Sequence, residues 1–305
     1  MTELERRYAS LMRLYPPAYR RARGAEMLAV LMDSAPPDRR RPEWREVRGL
    51  ILGALRVRAG AQGRRTAGQS WRVSLRTAAL MLLTQTAGDT VWQMMFNPDG
   101  ESLPIARIAV SLTIAAVCVL AIAAVFRGAY LVASVVTTAA FVLQMVTPQL
   151  APSNITYLAP SWQLPLVVVL LIPLIGRGTV VAPKVLNLML LVPVVSVALN
   201  AYGTLTQDPS FQTGSRAVWQ TLAVAAILWS VVDERVALTF GLAFFNVVVN
   251  RAMAGKSPDL GDWSMWHTLV GDWSLWSWTD VGILAILPIL DIAVGATVAA
   301  RRTRI

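Results

Sequence analysis

Residues 104–126 read PIARIAVSLTIAAVCVLAIAAVF, with Arg107 as the only charge. A bilayer's hydrocarbon core, about 30 Å thick, takes a helix of about 20 mainly apolar residues, and this stretch supplies one. Working outward, further apolar stretches lie at 75–96, 129–147, 157–176, 182–202, 216–232, 236–252 and 279–300. The stretch 157–176 has to accommodate Pro160, Pro165 and Pro173, and 236–252 is short for a span. Composition points the same way. Of 305 residues, 55% are apolar and 15% charged, against about 25% charged in an average soluble protein. A soluble chain of this length has too little interior to hide so much apolar surface, so the bilayer is the expected solvent. The expected fold class is all-α: a polytopic helical membrane protein of about eight transmembrane helices behind a small three-helix head.

Charge divides the chain. Residues 1–76 hold 17 Arg and 7 acidic residues, so the whole net charge of +10 sits there, and the remainder balances 11 basic against 11 acidic groups. The expected organisation is a basic helical head at 1–62, a basic juxtamembrane linker at 63–74, the bundle at 75–300 and a basic tail at 301–305. Cytoplasmic loops carry an excess of Lys and Arg. With the amino terminus inside, the inner loops hold Arg127, Arg177, Lys184 and Arg235, and the tail holds Arg301, Arg302 and Arg304. The outer loops hold Asp99, Glu101, Asp208, Asp259, Asp262, Asp272 and Asp280. Eight spans then leave both termini in the cytoplasm. The juxtamembrane residues Arg56, Arg58, Arg64, Arg65, Arg72 and Arg76 fit anionic inner-leaflet lipids, each contact contributing about 1 kcal/mol. No aromatic interleaving or known motif marks this stretch as a direct nucleic-acid binder. The first thirty residues lack the continuous apolar core of a cleavable signal peptide.

Three amphipathic helices are expected in the head. Leu4, Tyr8, Leu11 and Tyr15 recur at helical spacing; Pro16 and Pro17 close that helix and open the next. Tyr19, Ala22, Met27, Val30 and Leu31 make the second stripe, and Trp44, Val47, Ile51, Ala54 and Leu55 the third. The run Arg13-Leu14-Tyr15-Pro16, then Tyr19-Arg20, Arg23-Gly24, Glu26-Met27-Leu28 and Leu31, resembles the amino-terminal head of a family of actinobacterial membrane proteins commonly encoded beside PadR-type transcriptional regulators. That head is similar to the helical signalling module called HAAS and to prefix segments fused to some permeases. The resemblance covers about a fifth of the chain. It implies a regulatory or transport-associated role, with Tyr15, Tyr19, Arg20, Glu26 and Met27 docking a cytoplasmic transcriptional regulator or transporter subunit. It carries no catalytic residues.

Polar residues inside the spans are the candidate ion or proton sites, because a charge in hydrocarbon is costly unless paired, protonated or wetted. Asp291 lies eleven residues into the last span, about 16 Å at 1.5 Å per residue, near the midplane. Asp89 lies in the polar run Thr84-Gln85-Thr86-Ala87-Gly88-Asp89-Thr90, and Arg107 at the start of the next helix is its candidate partner across the outer turn. Gln144, Asn187, Asn200, Asn246 and Asn250 are candidate interhelical hydrogen-bonding groups. Near the carboxyl end, Gly261-Asp262-Trp263-Ser264-Met265-Trp266 repeats as Gly271-Asp272-Trp273-Ser274-Leu275-Trp276. Trp263, Trp266, Trp273 and Trp276 share one helical face, as expected of an amphipathic helix in the outer interface or an aromatic platform for a lipid, cation or peptide.

Catalytic signatures are sparse. His267 and Asp272 match the short His-x4-Asp pattern of glycerolipid acyltransferases, but the other blocks of that pattern are missing. There is no phosphate-binding P-loop, no His-Glu-x-x-His zinc site and no Gly-x-Ser-x-Gly elbow. Cys118 is the only cysteine, so no intrachain disulfide and no thiolate metal cluster can form. No catalytic residue, metal or cofactor is assigned. The expected role is regulatory or signalling, coupling the bundle to a cytoplasmic partner through the head. The alternative is a transporter or permease subunit using Asp291 and Asp89.

Overall fold

The computed structural model describes residues 2–36, 38–60, 66–95, 105–150, 162–180, 182–206, 221–253 and 275–302. Among them every regular element is helical, so the protein is all-α. The head contributes α1 (Glu3–Met12), α2 (Pro17–Asp33) and α3 (Trp44–Arg58). The bundle contributes α4 (Ala67–Met95), α5 (Ile105–Phe126), α6 (Tyr130–Leu150), α7 (Gln163–Leu171, ending in a 3-10 turn at Ile172–Leu174), α8 (Lys184–Leu188) and α9 (Leu191–Leu205). It is completed by α10 (221–229), α11 (Glu234–Met253) and α12 (Leu275–Arg302).

Local chemistry sets the helix starts. Thr2 and Glu5 bond reciprocally as a capping box at α1, and Glu43 and Glu46 do so at α3. Thr66 and Gln69 exchange the same pair of hydrogen bonds, at 3.2 and 3.3 Å. That cap lets α4 begin at Ala67, so most of the 63–74 linker is the first two turns of a 29-residue helix. Other elements also differ from the sequence reading. The 182–202 stretch breaks between α8 and α9. The described part of 157–176 is helical only from Gln163, Pro173 falling in its closing 3-10 turn. Among the described residues one helix, Ile108–Phe126, with mean hydropathy 2.8, is long and apolar enough to cross a membrane; Tyr130–Val146, Gln163–Leu174 and Leu186–Leu199 are shorter apolar helices.

Helix α4 is the hub, packing on α5, α7, α9, α11 and α12, while α11 and α12 form an extensive antiparallel pair. The bundle core is built from Leu80, Met81, Leu83, Ile114, Leu164, Leu171 and Phe240 among others. The head has its own core of Leu4, Tyr8, Tyr15, Leu50 and Ala54. Tyr15 and Tyr19 stack at 5.3 Å. Three residues of the expected apolar stripes face outward instead: Ala22 is exposed, Val30 64% and Trp44 72% so. Helix α2 turns Leu28, Leu31 and Met32 toward the core in place of Val30.

Candidate functional site

One end of the bundle gathers segments far apart in sequence. The start of α4, the turn after α5, the connection after α7 and residues 231–235 all meet there, beside the head. Arg56 of α3 donates from Nε and Nη2 to the Val231 carbonyl at 3.3 and 3.0 Å. Arg58 donates to the Leu14 carbonyl at 2.8 Å, tying α3 back to the turn after α1. On the bundle side, Ser70 Oγ donates to Glu234 Oε1 at 2.8 Å, and Ser74 Oγ to the Arg235 carbonyl at 3.1 Å. Arg235 forms a buried bidentate pair with Asp233, satisfying both charges out of water. Arg76, also buried, stacks on Phe126 at 5.2 Å. Sequence reading counted Arg235 only as an inner-loop charge and missed this network. Its signal is three consecutive charges, Asp233-Glu234-Arg235, between two apolar stretches.

From this junction α11 runs into the bundle against α12. Two glycines permit the approach. A Cβ on Gly241 would lie 2.8 Å from Asp291 Cβ and 2.9 Å from the Pro288 carbonyl oxygen; one on Gly295 would lie 2.7 Å from Leu238 Cγ. Asp291 is completely buried there, and neither carboxyl oxygen has a hydrogen-bond partner. The candidate named from sequence thus sits at the close crossing of α11 and α12.

Asp89 is in another place. Gln85 Nε2 donates to its Oδ1 at 2.8 Å, Gln163 Nε2 reaches its Oδ2 at 3.5 Å, and Thr86 Oγ1 donates to Gln163 Oε1 at 2.7 Å. Gln163 joins this cluster from α7, a link the sequence did not reveal. Ser70 and Glu234 are level because they bond. At 1.5 Å per residue, Asp89 lies about 28 Å along α4 from that level, whereas Gly241, touching Asp291, lies about 10 Å along α11. The two aspartates therefore occupy different depths.

The other expected sites divide similarly. Asn246 is buried on α11. The side chains of Arg107, Asn200 and Trp276 lie outside the described residues, as do Trp263, Trp266, Trp273 and His267. In the head, Tyr15 is buried in the head's own core, with Tyr19 and Met27 packed against it, while Arg20 and Glu26 are exposed. Tyr8 donates to Glu46 at 2.5 Å, and Arg39 pairs with Glu46 and Glu43 at 3.0 and 3.1 Å. The Tyr8 hydroxyl, the Glu43 backbone N–H and Arg39 hold the Glu46 carboxyl below its usual range. Burial, then Glu46, pushes the Tyr8 hydroxyl up to about 12. Among the described residues no cluster of three His, Cys, Asp or Glu side chains could hold a metal ion.

Compared with known proteins, the chain matches no family model, no curated protein and no solved structure.

Proposed function

We propose that this chain is a polytopic protein of a bacterial cell membrane, with about eight spans and both termini cytoplasmic, that passes a signal between its bundle and a cytoplasmic partner docked on its head. Support for a bilayer comes from an inverted burial pattern. On α6, Ala133, Ser134, Thr137, Ala140 and Gln144 face inward, while Leu131, Val132, Val135 and Val142 are more than half exposed. On α5, Leu112, Val119 and Leu120 are likewise more than half exposed. Such continuous apolar faces are a liability in water and fitting in lipid, where helices pack through small and polar residues.

The observation that carries the signalling reading is the placement of α11. Its start is held by the head through Arg56 and Val231 and by α4 through Ser70 and Glu234; two turns later it meets Asp291. A shift of α12 has a contiguous route through α11 to the head. The exposed Arg20, Glu26, Val30 and Trp44 offer a partner both charge and apolar contact, and the head's resemblance favours a transcriptional regulator of the PadR type. The test is a crosslinking pull-down from cells bearing the intact protein or one lacking residues 1–60. Recovery of a regulator only with the head present supports the proposal; identical recoveries overturn it.

A transport role is the second reading. It rests on Asp291, buried and without a hydrogen-bond partner, as a proton or cation site, with Asp89 as a second, separate candidate. Flux through reconstituted protein that disappears in Asp291→Asn would favour this reading over sensing.

A further inference from the structure

The junction holds an open cavity of about 440 Å³ whose walls include Gln69 and Arg72 from α4, Arg177 and Thr179 from the connection after α7, and Arg235. That volume falls within the range of small-ligand sites, about 300–1,000 Å³. No carboxylate is among its lining residues that the structure describes. Arg235 is already paired with Asp233, so its charge is balanced locally. Arg72 and Arg177 are not: among the described residues neither is in an ion pair, and Arg72 spends only its Nε, on the Gly68 carbonyl at 3.2 Å.

We propose that this cavity binds a phosphate-bearing anion, gripped by the Arg72 and Arg177 guanidinium groups with the Thr179 hydroxyl and Gln69 amide beside them. Two guanidinium groups facing one cavity repel each other until an anion lies between them. Guanidinium forks match phosphate oxygens in pairs. A phosphate supplies enough oxygens for two forks, a hydroxyl and an amide, whereas a carboxylate supplies two. The wall carrying Arg177 is also held in place. Gly176 and Gly178 take left-handed φ values of 76° and 71°. The Val180 N–H donates to the Tyr130 hydroxyl at 3.3 Å. Thr179 Cγ2 lies only 2.6 Å from where a Cβ on Gly128 would stand. Three segments separated in sequence therefore bring their donors to one place, with Arg72 half-buried on α4 and Gln69, Arg177 and Thr179 exposed around it.

The proposal deepens the membrane reading, on which the cavity opens at the inner leaflet. The anion is then either a phospholipid headgroup or a soluble phosphate compound. The test uses the full-length protein in uncharged detergent. Dioctanoyl phosphatidylglycerol is titrated with native mass spectrometry as readout, and inorganic phosphate by calorimetry. One saturable site is expected, weakened about tenfold in Arg177→Gln and in Arg72→Gln, the loss of one charge-assisted contact. Arg48→Gln, which removes an equal charge from an exposed position on α3, should leave it unchanged. Arg177 is exposed on a connection, so its substitution spares the core; Gly128→Ala, which displaces Thr179, gives an independent variant expected to weaken the same site. Lipid binding without phosphate binding assigns the headgroup; competition by inorganic phosphate assigns the soluble source. Equal losses in Arg48→Gln and Arg177→Gln, or no saturable site for either probe, overturn the proposal. Neither readout involves a head partner, so the pull-down and this titration can fail independently.

Discussion

Gly241→Ala probes the contact on which the route from Asp291 to the head depends. The added methyl carbon would stand 2.8 Å from Asp291 Cβ, 2.8 Å from Ile292 Cγ1 and 2.9 Å from the Pro288 carbonyl oxygen. Optimal separations between non-bonded carbons are about 3.5–4.0 Å, so the two carbon contacts are short by roughly 0.7 Å or more, and the carbonyl oxygen is also too close. Only the Ile292 side chain can rotate away; a Cβ and a backbone oxygen move only with their helix. Overpacking of this kind costs about 1–3 kcal/mol. An alanine in place of a helical glycine otherwise gains up to about 1 kcal/mol. Gly68→Ala in α4 isolates that gain, since a Cβ there meets nothing within 4 Å. The two variants add the same methyl group to helical glycines of one bundle, so their difference is the crossing strain, about 1–3 kcal/mol. In a thermal melt of the protein in mild detergent, that is a separation of several degrees at about 2–4 °C per kcal/mol. Gly241→Ala should melt lower than the parent and Gly68→Ala no lower. If Gly241→Ala melts as high as Gly68→Ala, α11 and α12 do not meet at Asp291, and the proposed route fails with them.

Three other outcomes follow from the same structure. Because the folded state lowers the Glu46 carboxyl, the head's stability from this group is full above the unfolded value of about 4.3 and is lost as pH falls through the folded one; Glu46→Gln should flatten the drop in melting temperature between about pH 5 and pH 3. Arg56→Gln removes the hydrogen bonds to the Val231 carbonyl, each such charged contact contributing about 1.5–3 kcal/mol. Tryptic release of the head at Arg64 and Arg65 should then quicken at least tenfold; an unchanged rate would mean that the head is not held there. In a Cys118→Ser background, Arg177→Cys should react with an impermeant thiol reagent only from the cytoplasmic side and Asp262→Cys only from the opposite side. Labelling of both from one side would refute the eight-span topology.

The sequence by itself determined that the chain is helical, that its charge is concentrated in a three-helix head, and that Asp291 and Asp89 stand out among apolar neighbours. Those features are local: periodicity, composition and proline placement act over a few turns and are legible without knowing what packs on what. It also placed Leu4, Tyr8 and Tyr15 on one face, and all three are core. It erred where tertiary packing chooses between nearly equivalent faces. Val30 and Trp44 point outward because α2 and α3 bury Leu28 and Leu50 instead. Only the tertiary structure decided that Gly241 and Gly295 admit the α11–α12 crossing, that Gln163 reaches Asp89, and that Glu234 and Arg235 meet Ser70 and Ser74. It alone gathered Arg72, Arg177 and Thr179 around one cavity. Residue pairs so far apart in the chain leave no trace in spacing. Their meeting depends on helix order and rotation about each axis, which arise from the sum of many packing contacts rather than from any one stretch of chain.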